Sequence, residues 1–268
     1  MEKYDIIILA GQSNAEGKGR GPVTREFVPN QRIHFMKDDA NPKCSSENGV
    51  IKLAMKWPAV NTVSVADEQV TDKGKIGCFA LQFAEKYAEE YLEDDRKVLI
   101  INANAGGTGF ARPEWGVGNP MHVRMIAMLE AALGLNPENR VVAILWSQGE
   151  HDSFENPDWD PVKRYTTHKA NLTATFKDLY KKLGDRSVPL LACGFSQPFC
   201  QKLPEATAAV LRAIREVIAD FDGGFVETEG LLTNGQTLPD CKDICHYSRQ
   251  SLHILGGMFF EKYRELRK

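Results

Sequence analysis

The chain has 268 residues, of which 43% are hydrophobic and 26% charged, and its formal net charge is −3. That length suits one α/β domain with a substantial core, or at most two small ones. The charge balance, without a Lys/Arg cluster, argues against nucleic-acid binding. No apolar run approaches the roughly 20 residues needed to cross a bilayer, and six cysteines are too few for a disulfide scaffold.

Glu2 and Lys3 lead straight into the first strand, without the separate hydrophobic segment of a signal peptide. The expected location is cytoplasmic; a secreted or periplasmic one would require that a signal had been removed. Next, Ile6-Ile7-Ile8-Leu9-Ala10 is a continuous apolar run that stops at Gly11, as a strand buried on both faces does. Gln12, Ser13 and Asn14 then line the carboxyl end of that strand, the edge where open α/β sheets bind ligands. Taken alone, Ser13 or Asn14 reads as a helix cap.

Residues 16–75 are rich in Gly, Pro, Asn and Asp, with short apolar pieces at 33–36 and 60–65, and are expected to form a long irregular functional loop. Helical spacing of Phe79, Phe83, Tyr87 and Tyr91 predicts a helix over about 77–93. A second buried strand, Val98-Leu99-Ile100-Ile101, exits through Ala105-Gly106-Gly107-Thr108-Gly109. Pro120 opens a helix whose Met121, Met125 and Met128 read as core packing. The third strand runs from Val141 to Trp146 and exits into Ser147-Gln148-Gly149-Glu150. A helix over 161–183, a strand at 188–195, a helix opened by Pro204, a short fifth strand at Phe225 and Val226, and a C-terminal helix complete the pattern. Strands alternating with helices imply a parallel sheet wrapped on both faces. The expected organisation is a single domain over residues 1–268.

In such a sheet the three exits converge. They bring together a hydroxyl, glycines that allow close backbone approach, and the side-chain donor of Gln148, which is the inventory of a nucleophile with an oxyanion hole. Among the six histidines, His246 stands out because Asp243 precedes it by three residues, a spacing that lets a carboxylate fix the imidazole tautomer. His151 follows the third exit, whereas His122, His168 and His253 fall within predicted helices. Cys241 and Cys245 bracket Asp243, but no second Cys/His pair of zinc-like spacing accompanies them, so free thiols are expected.

Gly11-Gln12-Ser13-Asn14, the Gly106-Gly107-Thr108 loop, Trp146-Ser147-Gln148-Gly149-Glu150 and Asp243-x-x-His246 together resemble the SGNH (GDSL-like) hydrolases. The closer likeness is to the branch of sialate O-acetylesterases and acetylxylan esterases of carbohydrate esterase family 6. Trp57-Pro58-Ala59-Val60 is similar to a tryptophan-containing segment of that branch. The resemblance implies a three-layer α/β/α sandwich, flavodoxin-like, with a parallel sheet of about five strands. It also implies Ser13 as nucleophile, His246 as general base and Asp243 as its orienting acid, with no metal or organic cofactor. The oxyanion hole would combine the backbone N–H groups of Ser13 and of Gly106 or Gly107 with the Gln148 side chain. Gln148 stands where the wider superfamily carries Asn, as in the acetylesterase branch, and His151 departs from the small polar residue expected there.

Glu150 and Asp152 are expected to brace the third loop. Gln12, Gly107, Thr108, Trp115, Glu150 and His151 are the expected substrate-lining residues, with Phe110 and Arg112 beside them. Trp57, Trp115 and Trp159 lie outside the predicted strands, where aromatics stack on sugars or anchor loops. The substrate class implied by the resemblance is a carbohydrate acetyl ester, small molecule or oligosaccharide, cleaved through an acetyl-enzyme, with no nucleic-acid or membrane partner. Two rivals stay open: a small-acyl esterase or thioesterase indifferent to sugars, and a non-catalytic carbohydrate-binding protein on the same scaffold. Retention of Ser13, Asp243 and His246 argues against the second. The absence of Gly-x-Gly-x-x-Gly and Gly-x-Ser-x-Gly argues against a dinucleotide-binding protein and an ordinary α/β-hydrolase.

Overall fold

The computed structural model describes residues 1–47 and 50–268, with side chains throughout these except at 44–47 and 50–52. The strands are β1 (Lys3–Gly11), β2 (Ile33–Asp38), β3 (Lys43–Glu47), β4 (Val50–Ala54), β5 (Asn61–Val65), β6 (Gln69–Thr71), β7 (Gly74–Ile76), β8 (Arg96–Asn104), β9 (Arg140–Ser147), β10 (Leu190–Cys193) and β11 (Gly224–Val226). The helices are α1 (Ser13–Glu16), α2 (Phe79–Glu90), α3 (Pro120–Gly134), α4 (Glu150–Phe154), α5 (Pro161–Leu183), α6 (Gln197–Lys202), α7 (Pro204–Asp220), α8 (Asn234–Thr237) and α9 (Arg249–Leu266).

One sheet of seven strands runs β11-β10-β9-β1-β8-β2-β5. All neighbouring pairs are parallel except β2 with β5. The alternation of a strand buried on both faces is explicit in β1. Ile6, Ile8 and Ala10 join the core beneath α3, α5 and α7, while Ile7 and Leu9 join the core beneath α2 and α9. The methionines of α3 belong to the first of these cores, Met121, Met125 and Met128 being at most 1% exposed. The result is the expected α/β/α sandwich.

The segment 16–75 departs from expectation. Its two apolar pieces are β2 and β5, which widen the sheet from five strands to seven, and two-stranded ribbons β3–β4 and β6–β7 lie outside it. The reason is visible in β5: Thr62, Val63 and Ser64 are exposed, so this antiparallel edge strand carries little of the burial that marks strands in sequence. At the amino end of the sheet, buried Asp5 accepts hydrogen bonds from Arg96 Nε (2.7 Å), Arg140 Nε (2.8 Å) and Tyr87 (2.6 Å). This satisfies a charge that could not otherwise be buried. No helix among the described residues is long and apolar enough to cross a membrane.

Candidate active site

Register places the three exits side by side: Gly11 is paired with Asn104 on one flank and with Ser147 on the other. Gly11 has φ +139°, and a Cβ there would lie 2.0 Å from the Ser147 carbonyl oxygen. Glycine is therefore what lets the backbone leave β1 and pass under the neighbouring loop. Gln12 N–H then donates to that same Ser147 oxygen (2.9 Å), and Ser13 opens α1, 6% exposed. Gly106 rests against the nucleophile candidate, since a Cβ on it would meet Ser13 Cβ at 3.5 Å.

His246 and Asp243 form the pair their spacing suggested. His246 Nδ1 lies 2.8 Å from Asp243 Oδ2, and the backbone N–H groups of His246 (3.0 Å) and Cys245 (3.1 Å) donate to Oδ1. Asn234 Nδ2 adds a bond to Oδ2 at 3.1 Å. Burial pushes the Asp243 carboxyl up, but the His246 side chain and backbone and Asn234 outweigh it and hold it well below the usual carboxylate range. Asn14 joins this loop to the nucleophile candidate. Its Nδ2 donates to the Cys245 carbonyl (3.4 Å) and its Oδ1 accepts from Tyr247 N–H (3.2 Å), so the residue after Ser13 grips both neighbours of His246.

Asn14 Nδ2 also donates to Glu150 Oε1 (2.7 Å), tying the third exit to the other two. Glu150 is 1% exposed and its Oε2 has no partner; burial pushes its carboxyl above the ordinary value of 4.5. A carboxyl whose folded pKa is raised loses stability as pH rises through the window from the unfolded to the folded value. Glu150→Gln removes this dependence. Thermal unfolding followed from pH 4 to 8 should therefore move in the variant's favour above about pH 4.5, by about 2–4 °C for each kcal/mol relieved.

Two of the oxyanion-hole candidates, Gly106 and Gln148, are engaged by the protein itself. Gly106 N–H donates to Glu16 Oε2 (2.8 Å), and Glu16 Oε1 is paired with Lys18 (2.6 Å). Gln148 Nε2 donates to Asp152 Oδ2 (2.8 Å), with longer contacts to the Thr108 carbonyl (3.3 Å) and Gln12 Oε1 (3.4 Å). Asp152 is in turn held by His168 Nδ1 (3.0 Å) and Ala111 N–H (2.7 Å). Burial pushes the Asp152 carboxyl up, and His168, Gln148 and Ala111 bring it below its usual value. The carboxylate accepts only, so it turns the amide nitrogen of Gln148, not the oxygen, toward itself.

The other expected substrate residues divide into two groups. Gln12 is 3% exposed and its Oε1 accepts from the N–H groups of Gly149 (3.3 Å) and His151 (3.1 Å), bracing the third exit. Thr108 is fully buried and bonded to the Ala105 carbonyl (2.8 Å). Trp115 is 1% exposed, its Nε1–H donates to Thr108 Oγ1 (2.9 Å) and its ring meets Trp146 edge-on; Phe110 stacks on Trp146. These hold the loops from inside and offer no exposed face to a ligand. Gly107 has φ +71° and accepts from Arg112, which also touches His151. Trp57 is 47% exposed, and Trp159 lies beneath Lys163. Cys241 Sγ accepts from Arg20 (3.1 Å).

Sequence reasoning missed four participants: Asn14 as clamp, Glu16 on the Gly106 N–H, Asn234 on Asp243, and His168 behind Asp152. Only Asn14 had a signal, its place in Gly-Gln-Ser-Asn. The others lie 90, 9 and 16 positions from the residues they contact.

Residues 3–265 match the family model described as carbohydrate esterase, sialic acid-specific acetylesterase. A probable 9-O-acetyl-N-acetylneuraminic acid deacetylase of Escherichia coli (strain K12) is 28% identical over 177 residues, 56% of this chain and 53% of that protein. The chain thus spans about half the length of this curated relative. Among solved structures, NanS superposes with a TM-score of 0.76 at 20% identity, covering 99% of this chain and 98% of that one. A protein from Arabidopsis thaliana gives 0.66 at 18% identity, with 99% of each chain covered. A carbohydrate acetylesterase from Sinorhizobium meliloti gives 0.51 at 11% identity, over 99% of this chain and 100% of that one. These structural likenesses establish a shared fold, and the family match fixes the lineage within it. The chain belongs to the carbohydrate esterase family of sialic acid-specific acetylesterases.

Proposed function

We propose that the protein is a serine esterase that removes O-acetyl groups from a carbohydrate, with Ser13 as nucleophile, His246 as base and Asp243 as its orienting acid. The observation that carries this reading is the Asp243–His246 pair, whose loop is tied directly to Asn14, the residue following Ser13. With Asp243 on Nδ1, the Nε2 of His246 takes the Ser13 proton as Oγ attacks the acetyl carbonyl. The tetrahedral intermediate collapses, the C–O bond to the sugar breaks, and His246 returns the proton to the departing hydroxyl oxygen. Water then attacks the acetyl-serine with the same base, freeing acetate and Ser13.

The developing oxyanion takes Gly106 N–H in exchange for Glu16, whose side chain is one-third exposed. It also displaces the two long contacts of Gln148 Nε2, while Asp152 keeps the amide oriented. Gln148→Ala is expected to lower kcat on acetyl esters by roughly 10²- to 10³-fold; steady-state kinetics on nitrophenyl acetate checks it. The family and the name of the E. coli relative favour an O-acetylated sialic acid over acetylated xylan as substrate.

The acyl pocket is tested with nitrophenyl acetate, butyrate and octanoate. A serine acetylesterase is expected to lose kcat/KM as the acyl chain lengthens. A rise would favour a lipase- or thioesterase-like enzyme, and no turnover of any ester by folded protein would favour a carbohydrate-binding role.

A further inference from the structure

We propose that Glu16 is a specificity-determining residue, whose carboxylate occupies the Gly106 N–H until a substrate hydroxyl in the adjoining cleft draws it away. This rests on the acetylesterase reading above and adds a control on which esters are turned over. Glu16 closes α1 three residues after Ser13, a spacing that puts both side chains on one side of the single helical turn. Its Oε2 accepts from Gly106 N–H at 2.8 Å. A Cβ on Gly106 would meet that same oxygen at 2.9 Å and Ser13 Cβ at 3.5 Å. A carboxylate oxygen thus already sits on the donor that the oxyanion would use, beside the nucleophile candidate. The backbone offers one N–H there, so the two anions compete for it.

Lys18 Nζ holds the other carboxylate oxygen, Oε1, at 2.6 Å. The Lys18 stem also passes Gly106, with Cε 3.8 Å from where a Cβ would lie. A carboxylate on a backbone donor makes a charge-assisted bond, stronger than a neutral one. Displacing it therefore costs the transition state part of what the donor supplies. That cost is smallest for a substrate that offers Glu16 a replacement. An ionised carboxylate only accepts, so the replacement is a donor, which a sugar hydroxyl is.

The place for that hydroxyl is a cleft of about 200 Å³ at the carboxyl ends of β2 and β8, lined by Glu16, Asp38, Gln69, Asn102 and Asn104 among others. Its wall is built before any ligand arrives. Buried Arg124 donates to both Asp38 oxygens (2.8 and 2.9 Å) and to the Asn104 carbonyl (2.8 Å). Asn104 Nδ2 donates to Asn102 Oδ1 (2.5 Å). Glu16 belongs to this wall and to the Gly106 donor at once, so what fills the cleft bears on the oxyanion site through one side chain.

Nitrophenyl acetate carries no hydroxyl and an O-acetylated sialic acid carries several, so Glu16→Ala should act on them unequally. Its kcat/KM on nitrophenyl acetate is expected to rise roughly 10-fold over wild type, the lower end for a hydrogen bond to a charged group. On the sugar it should stay level or fall, because the hydroxyl loses its acceptor. Glu16→Gln, of the same shape without the charge, should lie between wild type and Glu16→Ala, and it decides the matter if the alanine variant does not fold. A purely structural Glu16 would lower both activities on substitution. A variant no faster than wild type on nitrophenyl acetate, or one that gains as much on the sugar, overturns the proposal. Both comparisons start from a wild type that hydrolyses nitrophenyl acetate; a folded wild type that does not would remove the esterase reading first, and this proposal with it.

Discussion

Ser13→Ala is expected to lower turnover of nitrophenyl acetate by on the order of 10⁴-fold or more, because without the hydroxyl no acetyl-enzyme forms. The fold should be indifferent to the change. Ser13 is the first residue of α1, whose N-cap is Gln12; alanine is a better helix former than serine. The unfolding midpoint should therefore stay within about 2 °C of wild type. His246→Ala should cost a similar factor, and the double variant little more, since the two groups act as a unit. Additive losses would mean that Ser13 and His246 serve separate steps. A Ser13→Ala protein that retains most of its turnover would remove the nucleophile assignment.

Gly11→Ala is expected to strike the fold and the site together. Its methyl group would lie 2.0 Å from the Ser147 carbonyl oxygen, on a residue whose φ of +139° an L side chain rarely adopts. The atom in the way is backbone, so β1 and β9 would have to separate where they deliver Gln12 and Gln148. Left-handed strain and overpacking each cost about 1–3 kcal/mol, giving a loss of roughly 2–6 kcal/mol. That is a large share of the stability of an ordinary domain. Chemical denaturation reads it as a fall in midpoint, or as failure to obtain soluble folded protein. A variant as stable as wild type would show that the β1 exit is laxer than its geometry implies.

What was legible in the sequence follows from burial. The central strands β1, β8 and β9 are flanked on both sides, so their apolar runs are continuous, and each glycine-rich stop marks a place where backbone must pass close to backbone. Long helices such as α5 and α9 announce themselves by spacing, with Asp160 and Ser248 capping them as their residue types suggest. The segment 16–75 was not legible because β5 leaves most of its side chains in water and the two ribbons lie off the sheet. At the candidate site, Asp243 and His246 could be paired because they are neighbours in the chain. Glu16 on Gly106, Asn234 on Asp243 and the Asp152–His168 contact depend on loop paths that periodicity does not encode. Trp115 and Phe110 show the converse. An aromatic after a glycine-rich strand exit suggests a sugar platform, yet both rings pack against Trp146 and stiffen the loop from within.

The measurement that bears most directly on the proposed reaction is acetate release from an O-acetylated sialic acid, wild type beside Ser13→Ala. The wild type is expected to release free acetate and de-acetylated sugar in equal amounts, and the variant none above background. A folded wild-type protein that releases no acetate, or a variant that releases as much, would contradict the proposed reaction.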